Sequence, residues 1–265
     1  MLRRTRRGGA RAVLARVPDR PVTGLVPEQV DATDPAARRV LTETGAVVLT
    51  GLPAVPDSLA VAAALLFGTG LRELYPHRTR RSVDGAVVPL HADSFDLVVD
   101  LAGTPTRRRH PDEDHVLVML ARQAPTGGGS FALDAHAFTD SLPQDLRTFL
   151  AATDVDLYGR WAGTRGLPAT PRVGRHIEYT RGGRRITRRT DGAVPLHRDP
   201  DTEYTTAMLS RFTAEVDRVQ PTLPRFTLAE GDVLALDNYR CWHGRDPHTG
   251  ERATHIQTLR TADAG

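Results

Sequence analysis

The sequence predicts an α+β domain that is mainly β, and three observations support this. Short apolar runs recur along the chain, turns rich in glycine and proline bound them, and only a few stretches carry helical character. Residues 34–43 have that helical character. Gly45-Ala-Val-Val-Leu-Thr-Gly51 is a short apolar run between glycines and predicts a buried strand. Pro53 and Pro56 break it, and Ser58 is the expected cap of a helix running to about Leu66. Residues 71–90, rich in Arg, Pro and Gly, predict a loop leading into a strand over Ala86 to Leu90. His115 to Ala121 predicts a central strand, 126–129 a glycine turn, and Ser130 to Asp134 a strand. Ala137 to Leu150 reads as helix, interrupted near Leu142 by Pro143. Further strands are expected over Arg175 to Thr180, Arg185 to Arg189, Arg225 to Leu228, Val233 to Asp237 and His255 to Arg260. A helix over Tyr204 to Val216 lies beside them. Many short strands with few helices suit a double-sheet jelly-roll barrel (a double-stranded β-helix) with flanking helices, although periodicity alone supports only "mainly β with helices".

The 265 residues fit one large domain. The expected organisation is a basic, flexible tail over 1–24 and a single domain over 25–262, with inserted loops at about 71–85 and 157–203. The chain contains no lysine, so all 35 basic residues are arginine, and 32 acidic residues hold the net charge to +3. The arginine clusters at 3–11 and 181–189 lack interleaved aromatics to stack on bases, which disfavours nucleic acid as a partner; the second reads as a solvated hairpin. No run approaches the roughly 18 to 20 apolar residues of a membrane span, and no secretory pattern follows the basic start. The single cysteine, Cys241, excludes an intramolecular disulfide and suits a reducing, cytoplasmic setting.

The chemistry concentrates near the C-terminus. Glu230-Gly-Asp232 launches an apolar strand ending at Asp237-Asn238, then His243-Gly-Arg245 follows, and Arg252 opens the next strand. Much earlier, His91-Ala-Asp93 stands just after a strand. A His-x-carboxylate pair with a distant His gives the facial triad of a non-haem iron(II) site. Residues i and i+2 of an extended segment share a face, so His91 and Asp93 can reach one ion. A second His-x-Asp, His197-Arg-Asp199, leaves an alternative pair, and the order of the surrounding segments favours His91.

Four pieces in order, Gly45 to Leu52, Leu90-His-Ala-Asp93, Gly127-Gly-Gly-Ser130 and Gly231 to Arg252, make the chain resemble the taurine dioxygenase and clavaminate synthase-like family of iron(II)/2-oxoglutarate oxygenases, from about Thr44 to Thr261. The resemblance implies a jelly-roll enzyme with iron(II) on His91, Asp93 and His243. It also implies 2-oxoglutarate held by Arg252 and the Ser130 hydroxyl, and O2 as oxidant. A guanidinium fork matches a carboxylate in a way lysine cannot reproduce. The implied reaction couples oxidative decarboxylation of 2-oxoglutarate to hydroxylation, desaturation or ring closure at an unactivated C–H bond. Asp93 disfavours halogenation, since halogenating relatives carry a small residue there. Candidate substrate-side residues are Tyr75, His77, Ser94, Asp96 and His197. The expected substrate is a small metabolite, amino-acid-derived or carboxylate-bearing, free or tethered to a carrier protein, in a setting such as antibiotic biosynthesis. Two other classes stay open: a catalytically inactive jelly-roll that binds a ligand, and an arginine-driven binder of nucleic acid or an acidic partner.

Overall fold

A computed structural model describes residues 24–93, 96–101, 104–109, 113–162 and 171–265. Two sheets face each other. The larger has the order Glu28–Asp31, Ala46–Thr50, Val233–Asp237, His115–Arg122, Glu251–Thr261 and Leu71–Leu74, with Arg78–Val83 also paired to the long Glu251–Thr261 strand. The smaller runs Gly24–Leu25, Ser130–Asp134, Cys241–Arg245 and Val88–His91. Except for the parallel pair of Glu28–Asp31 and Ala46–Thr50, neighbours in these sheets run antiparallel.

Side-chain alternation sorts the residues into layers. Val47, Leu49, Leu117, Met119, Val233, Ala235 and Leu259 point out of the large sheet and pack against the helices Ala36–Thr44 and Asp57–Phe67. Phe131, Leu133 and Trp242 point out of the small sheet and meet the helices Ala135–Asp140, Gln144–Ala152 and Thr202–Val219. Between the sheets lie the alternate residues Ala46, Val48, Val116, Leu120, Leu234, Leu236 and Cys241. The result is helices, sheet, sheet, helices, a mixed α+β architecture that is mainly β. No described helix is long and apolar enough to cross a membrane.

Three local expectations are corrected. The 71–85 segment, expected as an inserted loop, carries the strands Leu71–Leu74 and Arg78–Val83. Its arginines hid the alternation, because polar side chains on both faces of an edge strand erase the hydrophobic period. Ser58 is not a cap: the helix begins at Asp57 after Pro56, and the Ser58 hydroxyl donates to the Pro53 carbonyl at 2.8 Å. Arg225 to Leu228 forms only an isolated bridge, Phe226 to Ser130. The hairpin of Ile177–Tyr179 with Arg185–Thr187 is present as expected, but it is not merely solvated: Arg188 and Arg189 beyond it are 7% and 4% exposed.

Candidate metal and co-substrate site

The inward row of the small sheet carries the site. Cys241, His243 and Arg245 alternate with the outward Trp242 and Gly244, and register sets His243 against Ala132 on one side and His91 on the other. The approach of Val88–His91 depends on Gly244. A Cβ there would meet the Phe131 ring at 2.3 Å and the Val88 carbonyl at 2.6 Å, so any side chain would push the two histidine-bearing strands apart. His91, Asp93 and His243 each offer a donor atom, and these atoms all lie within 4.8 Å of one another. They are the only such cluster among the described residues. His243 Nε2 is 3.4 Å from Asp93 Oδ2, close to the roughly 3 Å separating neighbouring ligands when each lies about 2 Å from a shared ion.

Protonation suits a cation. The His91 Nδ1 lies 2.9 Å from the Pro89 carbonyl and must carry the proton there, which leaves the Nε2 lone pair free. Burial, helped by the charge of His91 nearby, lowers His243 to about 4 and keeps it neutral. Burial alone would raise Asp93, but His243, His91 and the Arg78 guanidinium outweigh it and hold the carboxyl below its ordinary 3.8. Arg78 Nη2 reaches Asp93 Oδ1 at 3.4 Å. Asn238 fixes the backbone beneath. Its Oδ1 accepts from the Asp93 amide at 2.9 Å, and its Nδ2 donates to the carbonyls of Asp93 at 2.8 Å and Glu113 at 2.9 Å.

The opposite sheet supplies the cationic side. Arg252 is registered with Ser82, in the same inward row as Thr254 and Ile256. It is 9% exposed, its Nε has no partner, and no ion pair holds it among the described residues. Burial, with the charge of Arg245 beside it, lowers its pKa to about 10. Arg245 Nη1 is also unpartnered, while its Nη2 donates to the Ala86 carbonyl at 2.8 Å. Gly128, at φ +75°, passes over this guanidinium, where a Cβ would stand 3.3 Å from the Arg252 Nε. Ser130 is buried, on the same face as His243 by its register with Arg245. A buried cation without a counter-charge is costly, so this corner is built to receive an anion.

The remaining candidates are not gathered here. Tyr75 is buried, donates to Glu73 at 2.7 Å, and burial raises its pKa. His77 stands 6.0 Å from His255, whose side chain alternates with those of Thr254 and Ile256 and therefore lies on the face turned away from the triad. His197 is exposed and outside the cluster. Ser94 lies outside the described residues, and only the backbone of Asp96 is described, paired with Arg109. Sequence reasoning missed Arg78 and the full role of Asn238. Reading 78–83 as a strand would have aligned Arg78, Arg80 and Ser82 on one face.

The profile of the family described as "Taurine catabolism dioxygenase TauD, TfdA family" matches residues 15–259. The chain belongs to that family. It is a non-haem iron(II)/2-oxoglutarate-dependent dioxygenase, using iron(II), 2-oxoglutarate and O2. Among curated proteins none matches the chain. Solved structures similar to this TauD/TfdA-family fold include AAD-2 in complex with Mn(II) and N-oxalylglycine, at TM-score 0.58 and 16% identity over 89% of this chain and 94% of that one. PvcB from Pseudomonas aeruginosa matches at 0.55 and 16% over 84% and 78%. A second PvcB structure, an Fe, alpha-ketoglutarate dependent oxygenase from an isonitrile synthetic pathway, matches at 0.55 and 15% over 84% and 78%.

Proposed function

We propose that His91, Asp93 and His243 hold iron(II), that Arg252 and Ser130 hold the distal carboxylate of 2-oxoglutarate, and that the enzyme oxidises an unactivated C–H bond of a small amino-acid-derived or carboxylate-bearing metabolite. The observation that carries this reading is the buried, unpartnered Arg252 guanidinium in the same barrel interior as the three clustered donors. The donor set fits the ion: two imidazoles and one carboxylate would leave cis positions open for a chelating 2-oxo acid and O2. When bound, iron and 2-oxoglutarate together supply the oxidising power that the side chains lack.

The chain's own residues then do four things. His91 and His243 present lone pairs, the first because its Nδ1 proton is committed to Pro89. Asp93 stays anionic, and Arg78 on one oxygen orients the carboxylate. Asn238 clamps both backbone polar groups of Asp93, so the ligand loop does not drift. Arg252 would fix the far end of the co-substrate, and the apolar residues between the sheets, Val116, Leu120 and Leu236 among them, keep that interior dry. The oxygenase of an isonitrile synthetic pathway among the similar structures supports a specialised-metabolite substrate here, and the single buried thiol Cys241 suits the cytoplasm.

Anaerobic titration with iron(II) and 2-oxoglutarate tests the assignment by the weak visible charge-transfer band of the chelate. The band is expected in the wild type and absent in His91→Ala and His243→Ala, with His197→Ala unaffected. A band that survives in His91→Ala but not in His197→Ala transfers the ligand role to the second His-x-Asp pair.

A further inference from the structure

A groove of about 350 Å3 lies between the helix Thr202–Val219 and the segment 189–195, on the far side of Arg189 and Thr190 from the triad. None of the residues given a role at the metal or co-substrate lines it. Its wall is rigid: Val194 exchanges both backbone hydrogen bonds with Asp156, and the Arg160 amide donates to the Gly192 carbonyl at 3.0 Å. It also adjoins the ligand loop, because the Ala92 amide, between His91 and Asp93, donates to the Arg189 carbonyl at 3.2 Å.

Two residues that line this groove each carry a buried polar atom with no partner among the described residues. His176 is 1% exposed, its Nδ1 lies 3.0 Å from the Arg188 carbonyl, and its Nε2 is unpartnered. The Nδ1 contact requires the proton on that nitrogen, so Nε2 is a buried acceptor without a donor. Burial lowers the ring to about 4 and keeps it neutral. Arg189 is 4% exposed; it donates from Nη1 to the Thr190 carbonyl and lies over the Phe212 ring at 5.7 Å, and its Nε–H is unpartnered. Asp191, Asp217 and Arg160 also line the groove; all three charges reach Arg189, but neither aspartate stands within ion-pair distance of it among the described residues, so the groove carries two charges of each sign. Each unmet group costs free energy that a complementary ligand would recover.

We infer that this groove binds a small zwitterion of the amino-acid type, with its carboxylate on Arg189, an N–H donated to His176, and its positive charge toward Asp191 and Asp217. A plain anion would sit beside the two aspartates uncompensated, and a plain cation beside Arg189. A molecule carrying both charges satisfies both sides. Leu209 and Phe212 supply the apolar floor for its side chain. The ligand is an effector, since Arg189 and Thr190 stand between this groove and the triad.

The test uses the full-length protein without metal, so that its failure is separate from any failure of the oxygenase reading. Saturation-transfer NMR with each proteinogenic amino acid at millimolar concentration is expected to detect at least one binder, and its amide, lacking the carboxylate, to bind at least about tenfold more weakly. His176→Phe keeps the ring beside Phe212 and removes the acceptor, with an expected loss of about tenfold. Because that residue is buried, Ser210→Trp provides a second variant. Ser210 is exposed on the helix at the groove, so the fold survives while the indole fills the space and binding is lost. No binder among the amino acids, amides that bind as tightly as their parents, or undiminished binding by Ser210→Trp would overturn the inference. With the site established, adding iron(II), 2-oxoglutarate and air is expected to leave the bound amino acid unchanged, and its consumption would overturn the inference.

Discussion

Replacing Arg252 with methionine should make the empty protein more stable while removing the grip on 2-oxoglutarate proposed for it. The guanidinium is 9% exposed, has no counter-charge, and burial lowers its pKa from 12.5 to about 10. A depression of that size corresponds to about 3 kcal/mol of strain on the charged form, which partial solvent access reduces to roughly 1 to 2 kcal/mol. The sign follows from the direction. The group is protonated in both folded and unfolded chains at neutral pH, so the cost is constant there and eases only above about pH 10. Methionine keeps much of the aliphatic stem and removes the charge, so the metal-free melting temperature should rise by roughly 2 to 8 °C. The same change leaves the co-substrate's carboxylate unpaired, which costs roughly 2 to 5 kcal/mol, or about 30-fold to several thousand-fold in affinity. Differential scanning fluorimetry with and without 2-oxoglutarate and iron(II) reads both effects. An unchanged or lower melting temperature, together with an undiminished shift on adding 2-oxoglutarate, would refute the idea that Arg252 waits for an anion.

Three further outcomes are expected. Asn238→Ala removes three hydrogen bonds around Asp93 and Glu113, one buried and two half-buried, so urea titration should show a loss of roughly 2 to 4 kcal/mol and iron titration a loss of about 10- to 100-fold in affinity. Gly244→Ala should lower stability by at least about 2 kcal/mol, because the new Cβ meets Phe131 and the Val88 carbonyl; a variant as stable as wild type with normal iron binding would mean that the strands separate freely. His176 is lowered from 6.5 to about 4, so it contributes stability that is fully present above pH 6.5 and is lost as the pH falls toward 4. About 3 kcal/mol is at stake over that window, and urea titrations across it should be flatter in His176→Phe than in wild type.

Much of the candidate site was legible because the chemistry proposed for it needs particular residues at particular spacings. His91 and Asp93 are two apart beside a strand, and His243 and Arg252 flank a turn between two strands; no structural knowledge is needed to see that such residues can converge. The fold was legible where one face is apolar, as in Gly45 to Gly51 and Val233 to Asp237. It was illegible where both faces are polar: Arg78–Val83 alternates Arg78, Arg80 and Ser82 with Thr79, Arg81 and Val83, and nothing in hydrophobicity marks the row that faces the triad. His176 and Arg189 were illegible for a different reason. They lie in an arginine-rich stretch that composition assigns to the surface, and only packing against the helix Thr202–Val219 buries them.

The division of the site between two layers carries a consequence for how the protein is held together. His91 and His243 belong to the small sheet, while Arg252 belongs to the large one, and no backbone ladder joins these two strands. An ion on the histidines ties together strands that are already neighbours. A dicarboxylate reaching from that ion to Arg252 would add a polar strut across the gap, beside the contact of Arg78 with Asp93. Metal alone should therefore quiet amide exchange along Val88–His91 and Cys241–Arg245, and only the second addition should slow it in Glu251–Thr261. On this view the co-substrate, when bound, would also be a structural member.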